Sequence, residues 1–331
     1  MSWNWLLQGE RPRNAGDLPR SLPRSNQFQL TATSVVGRPL HLPLRLTRFE
    51  TAAAFLDAVR PILAEHEAEH HLVLGVAEAF ASSSEPRPAP FMAIVEDDDG
   101  LALAAWMDGS HPLLLASDRD DVTQATHAMA ALLAEHGPTP ARVIGVIGQV
   151  ETFADAWTRL TGRPARVAMR QRAYRVDEVE PNAPTPGQLR VATMDDLELV
   201  ATWTRAFEIE ALGPLASPEH RHAAERRIAA RAIYLWCDED TVARAMAGAV
   251  RPTAHGIAVN SVYTPREWRG RGYATACVAE LSRRLLGAGF RFCVLYTDLS
   301  NPTSNAIYIR IGYRPVHDFL MYELGDLTIR E

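Results

Sequence analysis

The 331-residue sequence predicts an α/β protein of the α+β kind, in which one plan of helices and strands is used twice. Three observations carry that reading. Stretches with apolar residues at helical spacing alternate with short apolar runs bounded by Asp, Gly and Pro. Several of those runs follow one another with only tight turns between them, which favours antiparallel pairing. A Pro-rich stretch, residues 180–187 (EPNAPTPG), separates two passages with a similar order of elements.

Residues 1–45 are rich in Pro and Arg without clear periodicity and are expected to form an arm. From residue 50 to 79, Phe55, Val59, Ile62 and Leu63 recur at helical spacing and predict a helix. The apolar runs 91–95, 101–106 and 113–116 read as antiparallel strands. Residues 122–136 form a second amphipathic helix that Gly137 and Pro138 stop. Strand 143–147, helix 152–160 and strand 166–176 complete the first passage. In the second, strand 189–192 precedes helix 194–207, with Thr193 as its N-cap and Asp195 and Asp196 in its first turn. Helix 218–232 and strands 233–237, 242–250 and 257–263 follow. A helix from Tyr273, strand 292–297, helix 303–311 and strand 314–323 close the order.

This length accommodates two domains, each with its own core. With 47% hydrophobic and 22% charged residues the chain belongs among soluble globular proteins. A net charge of −6 gives no basis for nucleic-acid binding. Cys237, Cys277 and Cys293 lie far apart in apolar segments, so reduced core thiols and a cytoplasmic location are expected. No apolar run approaches the ~20 residues of a membrane span, and no membrane partner is expected. The N-terminal stretch lacks the long apolar core and cleavage-like region of an export signal.

Residues 259–275 read VNSVYTPREWRGRGYAT, a strand, a Pro-marked turn and a Gly-rich loop ahead of an amphipathic helix. Gly270 and Gly272 allow a ligand to approach the backbone, and Arg269 and Arg271 lie beside them. The helix start adds unpaired N–H groups and the positive end of its dipole. That combination suits a phosphate or pyrophosphate. The loop contains Arg269-x-x-Gly272-x-Ala274, and downstream lies Asn301-Pro-Thr-Ser-Asn-Ala-Ile-Tyr308, then Ile311-Gly312-Tyr313.

On these two motifs, residues 188–323 resemble the GNAT acetyltransferase superfamily. The resemblance implies two GNAT-like domains, each a mixed, mostly antiparallel sheet flanked by helices. Residues 46–179 would be a degenerate domain, 180–187 a linker and 188–331 the catalytic domain. Acetyl-CoA would be the co-substrate. Arg269, Gly270, Arg271, Gly272, Tyr273, Ala274 and Thr275 would surround its pyrophosphate. Val262, Tyr263 and Thr264 would bond the pantetheine amides and acetyl carbonyl, with Val262 polarising the carbonyl. Asn301 and Ser304 would also contact the cofactor, and Tyr308 would stabilise or protonate the departing thiolate.

The acceptor is implied only as a small-molecule or peptide amine, and the assembly as a monomer or homodimer. Some family members carry a glutamate base on the central strand; the corresponding residue here is Ala258. Asn260 can orient a water but cannot be the base. Glu208 and Glu210, expected just after a helix, fall in a segment that lines the acceptor pocket in the family. His255, His317 and Asp318 are further candidates near strand ends.

In the first half, the place of the pyrophosphate loop is taken by Ser117-Asp118-Arg119-Asp120-Asp121. It lacks glycine, and its carboxylates would repel a diphosphate. That half is therefore expected to be structural and to wall the acceptor pocket. His66-Glu67-Ala68-Glu69-His70 formally matches HExxH, so a zinc hydrolase through His66, Glu67 and His70 is one alternative. The polar face made by Glu65, Glu69 and His71 argues against it. Only Glu78 and Glu85 offer a third ligand, and no metal is expected. The other alternative is a non-catalytic acyl-CoA-binding sensor or scaffold.

Overall fold

The structure is a computed structural model, described here over residues 26–28, 44–83, 86–109, 111–212 and 220–325. Most of the expected N-terminal arm, residue Glu85 and the connection 213–219 lie outside the described residues. In chain order the elements are β1 (Asn26–Phe28), β2 (Arg45–Arg48), α1 (Ala52–Leu63), α2 (Glu67–Ala81), β3 (Phe91–Asp97), β4 (Gly100–Met107), β5 (Leu113–Ala116), α3 (Thr123–His136), β6 (Arg142–Val146), α4 (Gln149–Thr161) and β7 (Ala165–Val176). Then come β8 (Gln188–Val191), α5 (Leu197–Leu212), α6 (His220–Ala229), β9 (Ile233–Cys237), β10 (Ala243–Val250), β11 (Gly256–Tyr263), α7 (Tyr273–Gly287), β12 (Phe292–Asp298), α8 (Pro302–Ile311) and β13 (Arg314–Leu324). The chain forms two compact units, which exchange at residue 172 within β7 and at residue 317 within β13. Among the described residues no helix is long and apolar enough to cross a membrane.

In the unit that ends at residue 171 and resumes at 317, the strand order is β1-β2-β3-β4-β5-β6-β13. All neighbours are antiparallel except β5 and β6. Helices cover both faces of its central strands, which is why those strands read as unbroken apolar runs. Phe91, Ala93 and Val95 share a core with Met129 and Leu133 of α3 and with Phe153 and Trp157 of α4. On the other face, Trp106 packs against Phe55 of α1 and Phe80 of α2. The single helix expected over 50–79 is two. Pro61 lies in the last turns of α1 and denies the Asp57 carbonyl its helical donor. The helix stops at Leu63, and α2 restarts where the His66 carbonyl accepts the N–H groups of Glu69 and His70.

In the unit of residues 172–316 the order is β8-β9-β10-β11-β12, antiparallel except for the β11–β12 pair. One face is covered by α7, whose Val278, Leu281 and Leu285 share a core with Trp236, Ile257 and Leu295. On the other face lie α5 and α6, with Val200, Trp203 and Ile228 against Leu235 and Met246. Thr193 and Asp196 form the capping box that opens the α5 region through a short 3₁₀ turn. Tyr174 and Val176 of β7 belong to this core.

The Pro-rich stretch expected as a linker is packed into the same unit. Glu180 N–H donates to Ile311 O at 2.9 Å, and Trp236 Nε1 to Pro186 O at 3.2 Å. Arg283 Nη2 donates to Asn182 Oδ1 at 2.5 Å. The prolines here fix an extended path over the unit rather than a tether, and the division falls inside β7, upstream of the expected boundary.

Candidate active site

β11 begins as an ordinary sheet strand and then leaves its neighbour. Its parallel register with β12 runs from Gly256↔Phe292 to Ala258↔Val294, while the strand continues to Tyr263. On the β10 side the register steps from Gly248↔Asn260 to Met246↔Tyr263, so three steps of β11 face two of β10. The extra residue is a β-bulge, and Ser261 within it takes φ 49°, a left-handed value that costs a non-glycine residue about 1–2 kcal/mol. A bulge bends and twists its strand. The β12-facing edge of β11 from Val259 onward, including Val262, Tyr263 and the following Thr264, lies outside the ladder.

After a 3₁₀ turn at Arg266–Trp268 the chain reaches the Gly-rich loop. Gly270 and Gly272 have φ of 77° and 84°. Gly272 is the N-cap of α7; no side chain caps it, and the first helical bond is Ala276 N–H to Gly272 O at 2.9 Å. The N–H groups of Tyr273, Ala274 and Thr275 therefore have no intrahelical acceptor. The first turn of α7 carries no carboxylate. This exposed, electropositive backbone fits an anionic diphosphate.

The two loop arginines are placed differently. Arg269 folds back, with Nε donating to Thr264 O at 2.9 Å and Nη2 to Glu210 Oε2 at 2.6 Å. Arg266 Nε reaches the other Glu210 oxygen at 3.2 Å. Burial works against ionisation of Glu210, but the bonds to Arg269 and Arg266 outweigh it and hold the carboxyl below its ordinary value. Arg271 is exposed and lies over the Trp268 ring at 4.8 Å.

Both candidate glutamates are helical, because the segment Phe207-Glu-Ile-Glu-Ala-Leu212 contains no breaker and α5 runs to its end. Val200, Thr204 and Glu208, one helical turn apart, form a buried stripe; Glu208 is only 1% exposed. Its Oε2 lies 3.3 Å from His220 Nδ1. Burial, reinforced by Arg205, lowers the His220 pKa, so the imidazole is neutral near pH 7.

Beneath them Arg227 of α6, 5% exposed, donates through Nη2 to Asn260 Oδ1 and Ser261 Oγ, both at 3.2 Å. Burial lowers its pKa to about 9, with Glu208 opposing and Arg251 assisting the shift. A Cβ at Gly248 would come within 2.5 Å of both Arg227 Nη2 and Asn260 Oδ1, so glycine there makes the room. Arg227 and His220 were not singled out from sequence. The signal for Arg227 was its helical spacing from Ala223 and Ala224, which marks the buried face.

Tyr308 is buried against the rings of Tyr174 and Tyr313, with centroids at 6.4 and 6.0 Å. Burial raises its phenol well above the ordinary value, outweighing a hydrogen bond with the Ser304 side chain. Asn301 caps α8, its Oδ1 accepting Ser304 N–H at 3.0 Å. Cys277 is fully buried, and burial pushes its thiol up to about 12, so it is not a nucleophile.

His255 lies in the turn before β11, where its carbonyl accepts Arg291 N–H at 2.7 Å. His317 and Asp318 belong to the other unit. In that unit, in the loop after β5, Asp121 Oδ1 accepts Thr123 N–H at the start of α3, and Asp118 Oδ1 meets His66 Nδ1. Glu67, the would-be water activator of the HExxH match, is buried within α2.

Residues 197–313 match the Acetyltransferase (GNAT) family. No curated protein matches the sequence. Among solved structures, a Drosophila protein aligns at TM-score 0.58 and 9% identity, over 84% of this chain and 98% of its own. A GCN5-related N-acetyltransferase from Sphaerobacter thermophilus aligns at TM-score 0.53 and 20% identity, over 82% of this chain and 91% of its own. Both likenesses extend well beyond the family match, so the fold they share includes most of the first unit as well as the second.

Proposed function

From a chain that carries a GNAT acetyltransferase domain at residues 197–313, we propose an acyltransferase that moves an acetyl group from acetyl-CoA to an amine by direct attack in a ternary complex. The observation that carries this reading is the bulged departure of β11 from β12 immediately before the uncapped start of α7. The free edge of β11 suits the pantetheine amides, and the α7 start suits the pyrophosphate.

In this reading the N–H groups of Gly272, Tyr273, Ala274 and Thr275 hold the diphosphate, with Arg271 adding charge. Val262 N–H donates to the thioester oxygen, where negative charge develops. His220, neutral and backed by Glu208, takes a proton from the incoming amine. Glu208 also draws the cationic form of that amine toward the pocket. Tyr308, kept protonated by burial and hydrogen-bonded with Ser304, donates from its hydroxyl to the departing sulfur, which it stabilises or protonates. Arg227 holds Asn260 and Ser261, and with them the bulge. Glu210 has a structural task, fixing Arg266 and Arg269 so that the loop keeps its shape.

The test is release of free CoA from acetyl-CoA across a panel of small and peptide amines. Acceptor-dependent release supports the assignment. Calorimetric binding of acetyl-CoA with no release for any amine would replace it with the binding-only reading.

A further inference from the structure

A second group of chemistry-bearing side chains lies in the other unit. His66 stands at the N-terminus of α2, Glu69 and His70 follow one turn on, Asp118 lies in the loop after β5, and His317 is in β13. Spacings of three and four place His66, Glu69 and His70 on one helix face. His66 Nδ1 is 2.5 Å from Asp118 Oδ1. One donor atom from each of His66, Glu69 and Asp118 lies within 4.8 Å of the other two.

Each carboxylate is also held by another imidazole. His70 Nε2 lies 3.4 Å from Asp118 Oδ1, and His317 Nε2 lies 2.9 Å from Glu69 Oε2. An imidazole and two carboxylates, with outer groups orienting the carboxylates, is a donor set for a divalent transition metal.

We propose that His66, Glu69 and Asp118 bind a divalent metal ion of the zinc class, with His70 and His317 fixing the two carboxylates. Donors around a tetrahedral zinc at about 2.0–2.1 Å lie roughly 3.3 Å apart. His66 and Asp118 must therefore separate by about 0.8 Å, which the half-exposed His66 side chain permits. The fourth position faces solvent, since His66 and Asp118 are both exposed. Glu67 is buried and takes no part, so the site differs from the hydrolytic arrangement that HExxH describes. It ties the start of α2 to the loop after β5, two segments distant in sequence.

The test is calorimetric titration of tag-free, chelator-treated full-length protein with ZnCl₂, CoCl₂ and MgCl₂. We expect one equivalent of zinc with micromolar or tighter affinity, no heat with magnesium, and a visible absorption band from bound cobalt. Asp118→Asn and His66→Gln should each weaken zinc binding at least tenfold and abolish the cobalt band. His70→Gln should weaken binding about tenfold, as loss of an orienting partner does. His66→Gln lies at an exposed position and keeps the test sound if Asp118→Asn fails to fold. Absence of zinc binding in the wild type, or equal binding by wild type and His66→Gln, overturns the site.

Discussion

Gly272 has φ 84°, and a Cβ there would sit 2.9 Å from Thr185 Oγ1, at the point where the proposed diphosphate meets the uncapped helix. Gly272→Glu adds a carboxylate to that end and about 1–2 kcal/mol of backbone strain. It should weaken acetyl-CoA binding by at least 100-fold in calorimetry while thermal unfolding shows a folded protein. Unchanged affinity would remove the loop from the donor site. Tyr308→Phe keeps the ring in its core and deletes the proton. We expect kcat to fall about 10²-fold or more, the scale of general acid catalysis, with acetyl-CoA affinity within a few-fold of wild type. Equal turnover would return Tyr308 to a packing role. His220 acts as a base only when deprotonated, and its pKa is lowered from the ordinary value. The acid limb of kcat/KM should therefore fall below about pH 6.5 and disappear in His220→Gln. A wild-type limb well above that pH would exclude His220.

Among the elements, the capping box of Thr193 and Asp196 is the clearest stability device. Asp196 accepts Thr193 N–H at 2.8 Å and two bonds from Arg190 at 2.6 and 2.7 Å. The Arg190 bonds outweigh burial and hold its carboxyl below the ordinary value. Asp196→Ala should cost about 1–2 kcal/mol at pH 7, read as a lower unfolding midpoint. Because the folded pKa is depressed, the contribution is complete above the unfolded pKa near 3.9 and is lost as pH falls through the folded value. Wild type and variant should therefore converge in strong acid; a constant gap would contradict the linkage. The Thr193 N-cap was legible in the sequence, as were the strand and helix order and the glycines at α7, because each is written in a few adjacent residues. The bulge was not. Ser261 adopts φ 49° without being glycine, and the contacts from Arg227 and the register with β10 are long-range. Burial of Glu208 was hidden by reading α5 as ending at residue 207. The break between α1 and α2 was hidden because the apolar spacing of 55, 59, 62 and 63 continues up to it.

At the scale of the molecule, the exchange of units inside β7 decides where the chain can be cut. A fragment of residues 188–331 lacks Tyr174 and Val176, each 1% exposed, and the docked stretch 180–187. Burial of side chains of that size contributes about 1.5–3 kcal/mol each, a large share of a stability of about 5–15 kcal/mol. That fragment should be unfolded or aggregated by circular dichroism and NMR dispersion, and residues 172–316 should fold. A folded 188–331 would place the boundary at the prolines after all. The return of the chain at residue 317 also sets an order in time. Residues 172–316 are continuous and can complete their core as soon as they leave the ribosome. The first-made unit cannot, because β6 pairs with Phe319–Glu323 and its core includes Leu320 and Leu324. Val146 and Phe319 are partners 173 residues apart, since 319 − 146 = 173. At ~5–20 residues per second β6 waits roughly 9–35 s with one edge open. The half translated first is the half finished last, and nascent-chain chaperones should find their longest-lived binding surface there.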